Sequence, residues 1–208
     1  MSQADVSLLS ITPEAEKHIE RCTRICYNSE SKMTSESHIV FLPGIMKRGH
    51  WSALSHAHAT FVVKNISRAC SHQLVRHAHL RYLQRSQRYC TEETNNTVIP
   101  EVLQDNKVVK TLLRSIKDKY NYLVKKKVKL EDARYILPNA CTTEIVVSGT
   151  LQGWWDFLRL RMGKSAQQEI RDVAKKIYVV LNAQCPHVFT KELLVVQVPL
   201  YLEFPENE

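Results

Sequence analysis

Arg76, Arg81, Arg85 and Arg88 stand within thirteen residues with no acid among them. They belong to a longer island, residues 37–91, that holds eight Lys/Arg, seven of the nine histidines, and neither Asp nor Glu. The chain has 29 Lys/Arg, so 21 lie outside the island against 21 Asp/Glu, and the island carries the whole net charge of +8. A guanidinium stays charged at any working pH, and its fork matches phosphate oxygens bidentately. Such an island suits anions, phosphates above all. Gln73, Ser86, Gln87 and Tyr89 lie among these arginines. They add the hydrogen-bonding edges and the ring face that a nucleotide base requires. A plain basic surface loop would need none of them.

Other chemistries fit less well. The spacings His56-x-His58, His72-x4-His77 and His77-x-His79 match no zinc-ligand pattern, and HExxH and CxxC are absent, so no metal is expected. Ser86 lacks a Gly-x-Ser-x-Gly elbow, and neither GxGxxG nor a Walker A loop occurs. The six scattered cysteines read as reduced core residues. With 208 residues, 44% hydrophobic and 24% charged, the chain reads as one domain over 1–208, able to bury a core. No apolar run approaches the roughly 18 residues of a membrane span, and the N-terminus shows no leader pattern, so a cytoplasmic protein with no membrane partner is expected. The pI near 9.2 permits nucleic acid. Tyr82 and Tyr89 do not alternate on a strand platform, however, so no nucleic-acid partner is expected. Lys125–Lys127 reads as a solvated helix end.

The elements that must position these residues are mostly helical. Thr12-Pro13-Glu14 predicts a helix start, with the helix running to about Tyr27. Residues 36–48 predict two short helices split at Pro43-Gly44, and residues 56–64 a strand. Ser67 should cap a helix to about His77, with Ala69, Cys70, Gln73, Leu74 and His77 on one face. Periodicity fails from Ala78 to Tyr89, which predicts a loop. Helices are expected over 108–126, 130–136, 151–161 and 166–183. The last of these has the stripe Ile170, Val173, Ala174, Ile177 and Leu181. A short strand is expected over 144–148.

Five pieces in one order resemble the flavin-dependent thymidylate synthases. Arg76-His77-Ala78, seven residues and then Ser86 resembles their Arg-His-Arg-x7-Ser motif. Gly49-His50-x-Ser52-x3-His56 precedes the strand. Ala133-Arg134-x2-Leu137-Pro138, Leu158-Arg159-Leu160-Arg161, and Ala166-Gln167-x-Glu169-Ile170-Arg171 follow. Together they span roughly residues 15–190.

The resemblance implies an α/β (α+β) fold, helices on a small mixed sheet, assembled as a homotetramer. It implies a methyltransferase that makes dTMP from dUMP with FAD, methylenetetrahydrofolate and NADPH. Gln73, Arg76, Ser86, Gln87, Arg88, Arg134 and Arg161 match the substrate side. Arg161 is expected to stabilise charge on the pyrimidine, and Ser86 to position that ring; these two are the catalytic assignments. His50, Ser52, Arg76, His77 and Gln84 fall on the cofactor side. The chain departs from the pattern at Ala78, where the motif has a second Arg, and at Ser55, where the family has Glu. It departs again at Thr150-Leu151-Gln152, where the family has Asn-x-Arg, and at Asp156. Arg81, one turn from Ala78 if that segment is helical, is a replacement for the missing Arg. Two alternatives stay open: one-carbon transfer to another pyrimidine nucleotide such as UMP, including hydroxymethylation, and a nucleotide-binding paralogue without flavin chemistry.

Overall fold

Two runs rich in β-branched residues, His58–Ser67 and Thr142–Thr150, pair antiparallel, with His58 opposite Thr150 and Ser67 opposite Thr142. Ala59, Phe61 and Val63 on one strand, and Thr143, Ile145 and Val147 on the other, are buried in alternation. One face of the pair therefore meets the core. In this computed structural model, which describes residues 4–92 and 97–195, these runs are strands β2 and β4 of a four-stranded sheet. β1 (Asp5–Ile11) lies outside β2, and β3 (Leu80–Gln84) lies outside β4, giving the order β1-β2-β4-β3. Every bonded pair is antiparallel, so the mixed sheet expected above is corrected. β2 and β3 do run parallel, but β4 separates them.

Each inner strand runs directly into a helix. Ser67 ends β2 and caps α3 (Arg68–Leu74), its Oγ accepting from Cys70 N at 2.9 Å. Thr150 ends β4 and caps the helix Leu151–Arg161, its Oγ1 accepting from Gly153 N at 3.0 Å. The other helices are α1 (Ala15–Cys26), α2 (His38–Lys47), α4 (Lys107–Lys125) and the short α5 (Leu130–Ala133). Leu151–Arg161 is α6, and α7 (Gln168–Gln184) and α8 (Lys191–Val195) follow. The expected stripe of α7 is buried in full. Trp154 of α6 donates its indole N–H to Ala59 O at 3.0 Å, pinning that helix on β2.

Several expectations change. Thr12 does not cap α1: Glu14 takes that position in the left-handed conformation at φ 45, and Thr12 Oγ1 accepts from His58 N at 2.9 Å. Pro43 sits inside one continuous α2, which buries Leu42, Ile45 and Met46; that burial outweighs the hydrogen bond proline forfeits. The expected loop at 78–89 contains β3. Its Leu80 is buried and Tyr82 and Gln84 half-buried, alternating with exposed Arg81 and Leu83. β1 was not anticipated: its alternation breaks where the register shifts between Leu8 and Ser10. α3 stops at Leu74, so His77 leaves its face. Residues 134–136 form a 3₁₀ turn rather than continuing α5. Cys70, Cys141 and Cys185 are buried as expected, but Cys26 and Cys90 are exposed.

Gly149 is where β3 meets β4. A Cβ there would stand 2.2 Å from Leu80 Cδ2, and Leu80 is itself fixed in the core. Gly149→Ala should therefore destabilise the fold by about 1–3 kcal/mol, the range for overpacking. A urea titration should show a lower midpoint with an unchanged slope.

Candidate active site

Arg161, the last residue of α6, reaches the end of α3. Its Nη2 donates to Gln73 O at 3.1 Å, and its Nε donates to His77 Nε2 at 2.9 Å. His77 must then carry its proton on Nδ1. Its pKa is lowered to about 4, by burial first and then by the charges of Arg161 and His79. The ring packs edge-on against Phe157 at 5.0 Å between centroids. Burial also lowers the pKa of Arg161, which remains a cation. Among the described residues no carboxylate pairs with it. The Tyr82 hydroxyl lies 2.8 Å from both Leu74 O and His77 O and closes the turn between α3 and β3; burial pushes its pKa up to about 12. Gln73 donates its side-chain amide to Gln167 at the start of α7.

A second cluster lies where α3, the chain after β3 and the 3₁₀ turn after α5 meet. Arg68, His72, Gln87, Arg134, Tyr135 and Asn139 face a polar cavity of about 300 Å³ with no acid in its lining. Arg68 Nη2 donates to Arg85 O at 2.8 Å, while its buried Nε has no partner. Burial lowers the Arg68 pKa, Glu92 and Cys141 oppose this, and Arg134 and Arg85 add to it. This cavity can take an anion with hydrogen-bonding demands. Beside it, exposed Arg88 donates to Glu131 Oε2 through Nε at 3.2 Å and Nη2 at 3.1 Å. Ser86 Oγ accepts from Arg88 N at 3.2 Å, and no base adjoins it among its recorded partners.

The remaining predicted residues lie elsewhere. His50 and Ser52, with Arg48 and His56, line a pocket of about 400 Å³ whose other wall includes Phe41 and Ile45. Gly49 at φ +85 turns the chain out of α2 to present them. Arg76, His77 and Ala78 face a third pocket, of about 460 Å³, with His79, Asp156 and Arg159. Arg81 is on a strand, so the one-turn argument for it fails. Its Nη1 nevertheless folds back to Ala78 O at 2.9 Å and Leu80 O at 3.0 Å. Gln84 spends its amide on Ser71 Oγ at 2.8 Å and Thr143 Oγ1 at 3.2 Å. Within one chain, then, Gln73, His77 and Arg161 meet, Gln87 and Arg134 meet, and His50 and Ser52 meet.

Comparison with known proteins places the chain in a family. A family model described as thymidylate synthase complementing protein matches residues 7–187. A flavin-dependent thymidylate synthase of Geobacter sulfurreducens is 36% identical over 196 residues, 88% of this chain and 84% of its own. One from Mycobacteroides abscessus is 34% identical over 195 residues, 82% and 77% of the two chains. One from Corynebacterium glutamicum is 32% identical over 207 residues, 89% and 83%. The chain belongs to the flavin-dependent thymidylate synthase family. It is thereby an enzyme of the methyltransferase class.

Membership gives the departures a physical reading. Ser55 Oγ donates to Gln152 Oε1 at 2.5 Å. These are the positions where the family pattern carries Glu and Arg. Here the two positions hold a neutral hydrogen-bonded pair, so neither leaves a buried charge without a partner. The pocket bearing His50 and Ser52 suits a flavin of this family: it is concave, largely apolar, and has a few convergent polar groups. Arg68, His72, Tyr135 and Asn139 were not among the expected site residues. Arg68 and His72 could have been drawn from the acid-free island, but Tyr135 and Asn139 carry no sequence signal.

His77 supplies a pH test. In the unfolded chain an imidazole titrates near 6.5, whereas here it binds its proton only near pH 4. Between those values the unfolded state holds more protons, so His77's contribution is complete above pH 6.5 and is lost as pH falls toward 4. Chemical denaturation from pH 8 to 4.5 should show wild type losing stability relative to His77→Gln across that window.

Proposed function

We propose that this enzyme reductively methylates dUMP to dTMP, with methylenetetrahydrofolate as one-carbon donor and NADPH as reductant, through FAD, in a homotetramer. The observation that carries the reading is Arg161: a half-buried cation, fixed by Gln73 O and a neutral imidazole, with no carboxylate among the described residues to cancel it. A cation held still beside a pyrimidine is already oriented for the negative charge that develops as carbon 5 becomes nucleophilic. His77, being neutral, holds the guanidinium without competing for that charge. Ser86 and Gln87 orient the base and sugar, and Arg68, Arg134 and Arg88 take the phosphate. The exposed Arg88–Glu131 pair is worth about 0–1 kcal/mol, so a phosphate can displace Glu131 at little cost.

FAD, when bound, passes reducing equivalents from NADPH to the one-carbon unit. His50 and Ser52 would hold it on one wall, with Arg76, His77 and Arg81 on another. Arg81, turned back to Ala78 O, brings a guanidinium beside the residue where the resembled motif has its second Arg. Gln84 supports this wall by joining α3 to β4. What supports the tetramer is that the expected cofactor and substrate residues of one chain line three separate pockets rather than one. It also leaves an apolar row, Val62, Val146 and Leu83, in register on the sheet face away from the core, with Leu83 77% exposed. A second copy of the chain is the occupant this reading assigns to that face.

Purified protein should release flavin on denaturation, and FAD should rebind to stripped protein. Arg81→Ala should weaken FAD binding by about 1.5–3 kcal/mol, the range for a hydrogen bond to a charged group, and dUMP binding less. Equal losses for both ligands would remove Arg81 from the flavin side.

Arg161→Ala should slow the chemical step in single-turnover reactions more than it weakens dUMP binding. Arg134→Ala should raise the dUMP dissociation constant at least about tenfold and leave that step nearly unchanged. If both variants alter affinity alone, the catalytic role of Arg161 is wrong.

A further inference from the structure

Away from the nucleotide pockets, three elements bring two imidazoles and a carboxylate together. Glu16 is in the first turn of α1, His38 opens α2, and His187 follows α7. One donor atom from each lies within 4.8 Å of the other two. Glu16 is only 7% exposed and is held by its neighbour: Oε1 accepts from the His187 backbone N–H, and Oε2 stands 2.7 Å from His187 Nδ1, both contacts being 2.7 Å. The His38 ring meets His187 edge-on at 5.8 Å. His38 Nδ1 is shielded from solvent and has no hydrogen-bond partner. A buried ring nitrogen left unsatisfied, beside a second imidazole and a buried carboxylate, has the composition of a ligand set lacking its ion.

We propose that Glu16, His38 and His187 form a binding site for a divalent transition-metal ion of the Zn²⁺ class. Two nitrogen donors and one oxygen donor suit zinc and its neighbours, whereas Mg²⁺ and Ca²⁺ require oxygen shells that this site lacks. Bonds of about 2.0–2.2 Å to a tetrahedral ion set the donors about 3.3–3.6 Å apart, within reach of side-chain rotation from their present spacing. A water completes the fourth position, since His187 keeps 31% of its side chain exposed.

The ion's work is mechanical. It joins the starts of α1 and α2 to the end of α7, and α2 leads through Gly49 to His50 and Ser52. Glu16 is six residues from Cys22, the first α1 residue of the His50 pocket, or about 9 Å along the helix. The metal thus braces the pocket from outside and takes no part in its chemistry. Sequence spacing concealed the site because its ligands stand at 16, 38 and 187, from three separate elements.

The test uses tag-free, full-length protein dialysed against chelator and then titrated with Zn²⁺, Co²⁺ or Mg²⁺. Calorimetry should find one Zn²⁺ per chain. At a hundredfold excess over its dissociation constant, Zn²⁺ should raise Tm by about 5–10 °C. Co²⁺ should develop visible d–d absorption, and Mg²⁺ should do nothing. His38→Ala removes a ring whose Nδ1 makes no hydrogen bond and should fold with nearly the chelator-treated wild-type Tm, yet lose the Zn²⁺ shift and the Co²⁺ spectrum. His187→Ala should lose them too. No Zn²⁺ shift in wild type overturns the proposal. So does a shift that persists in His38→Ala, which would place the ion on exposed thiols such as Cys26 and Cys90.

Discussion

Ten residues of β2 lie antiparallel to nine of β4, and each strand runs on into a helix, one at each end of the ribbon. The ribbon is about 31 Å long at 3.4 Å per residue. Seven residues of α3 and eleven of α6 cover about 10 and 16 Å at 1.5 Å per residue. Two helices that start at opposite ends and fold back over one face must therefore end close together. Their meeting point holds Gln73, His77 and Arg161. The Ser67 and Thr150 caps set where each helix starts, and a cap of this kind is worth about 1 kcal/mol. Glu169 of α7 adds to the first by accepting from both the N–H and the hydroxyl of Ser67, each at 2.6 Å.

The electrostatics of the site follow from this convergence. Arg161 arrives at the carbonyl end of α3, where the backbone offers partial negative charge. That end and a neutral imidazole hold the cation without an acid. The second arginine cluster is built differently. Arg68, Arg85 and Arg134 crowd closely enough for each of the latter two to make Arg68 harder to protonate, with Glu92 as counterweight. One cluster fixes a single charge, while the other gathers several around a polar cavity.

The departures from the family pattern look less like decay once contacts are seen. Ser55 and Gln152, which both differ from the pattern, are hydrogen-bonded to each other. Arg81 returns a guanidinium to the neighbourhood of Ala78 from an edge strand. Asp156 is half-buried, and burial raises its carboxyl pKa while Arg159 and His79 pull it down, so its charge is answered locally. A one-dimensional motif counts such sites as losses because it scores each position alone.

The sequence by itself determined the chemistry of the island. An acid-free stretch of arginines and histidines interleaved with amides must seek anions, since residue types fix charge whatever the fold. It also determined the long helices α4, α6 and α7, whose stripes or caps span enough turns to be unambiguous, and the Ser67 cap, which is purely local. It left β1 and β3 hidden: five- and seven-residue edge strands, one carrying a bulge, have too few alternations to stand out from a loop. It misread Pro43, because the burial that keeps α2 whole comes from other elements. Only the tertiary structure decided which arginines share a pocket, that His77 is neutral, and that Glu16, His38 and His187 are neighbours. Each of these depends on distances between segments far apart in the chain, and such distances are set by strand register and helix length rather than by local composition.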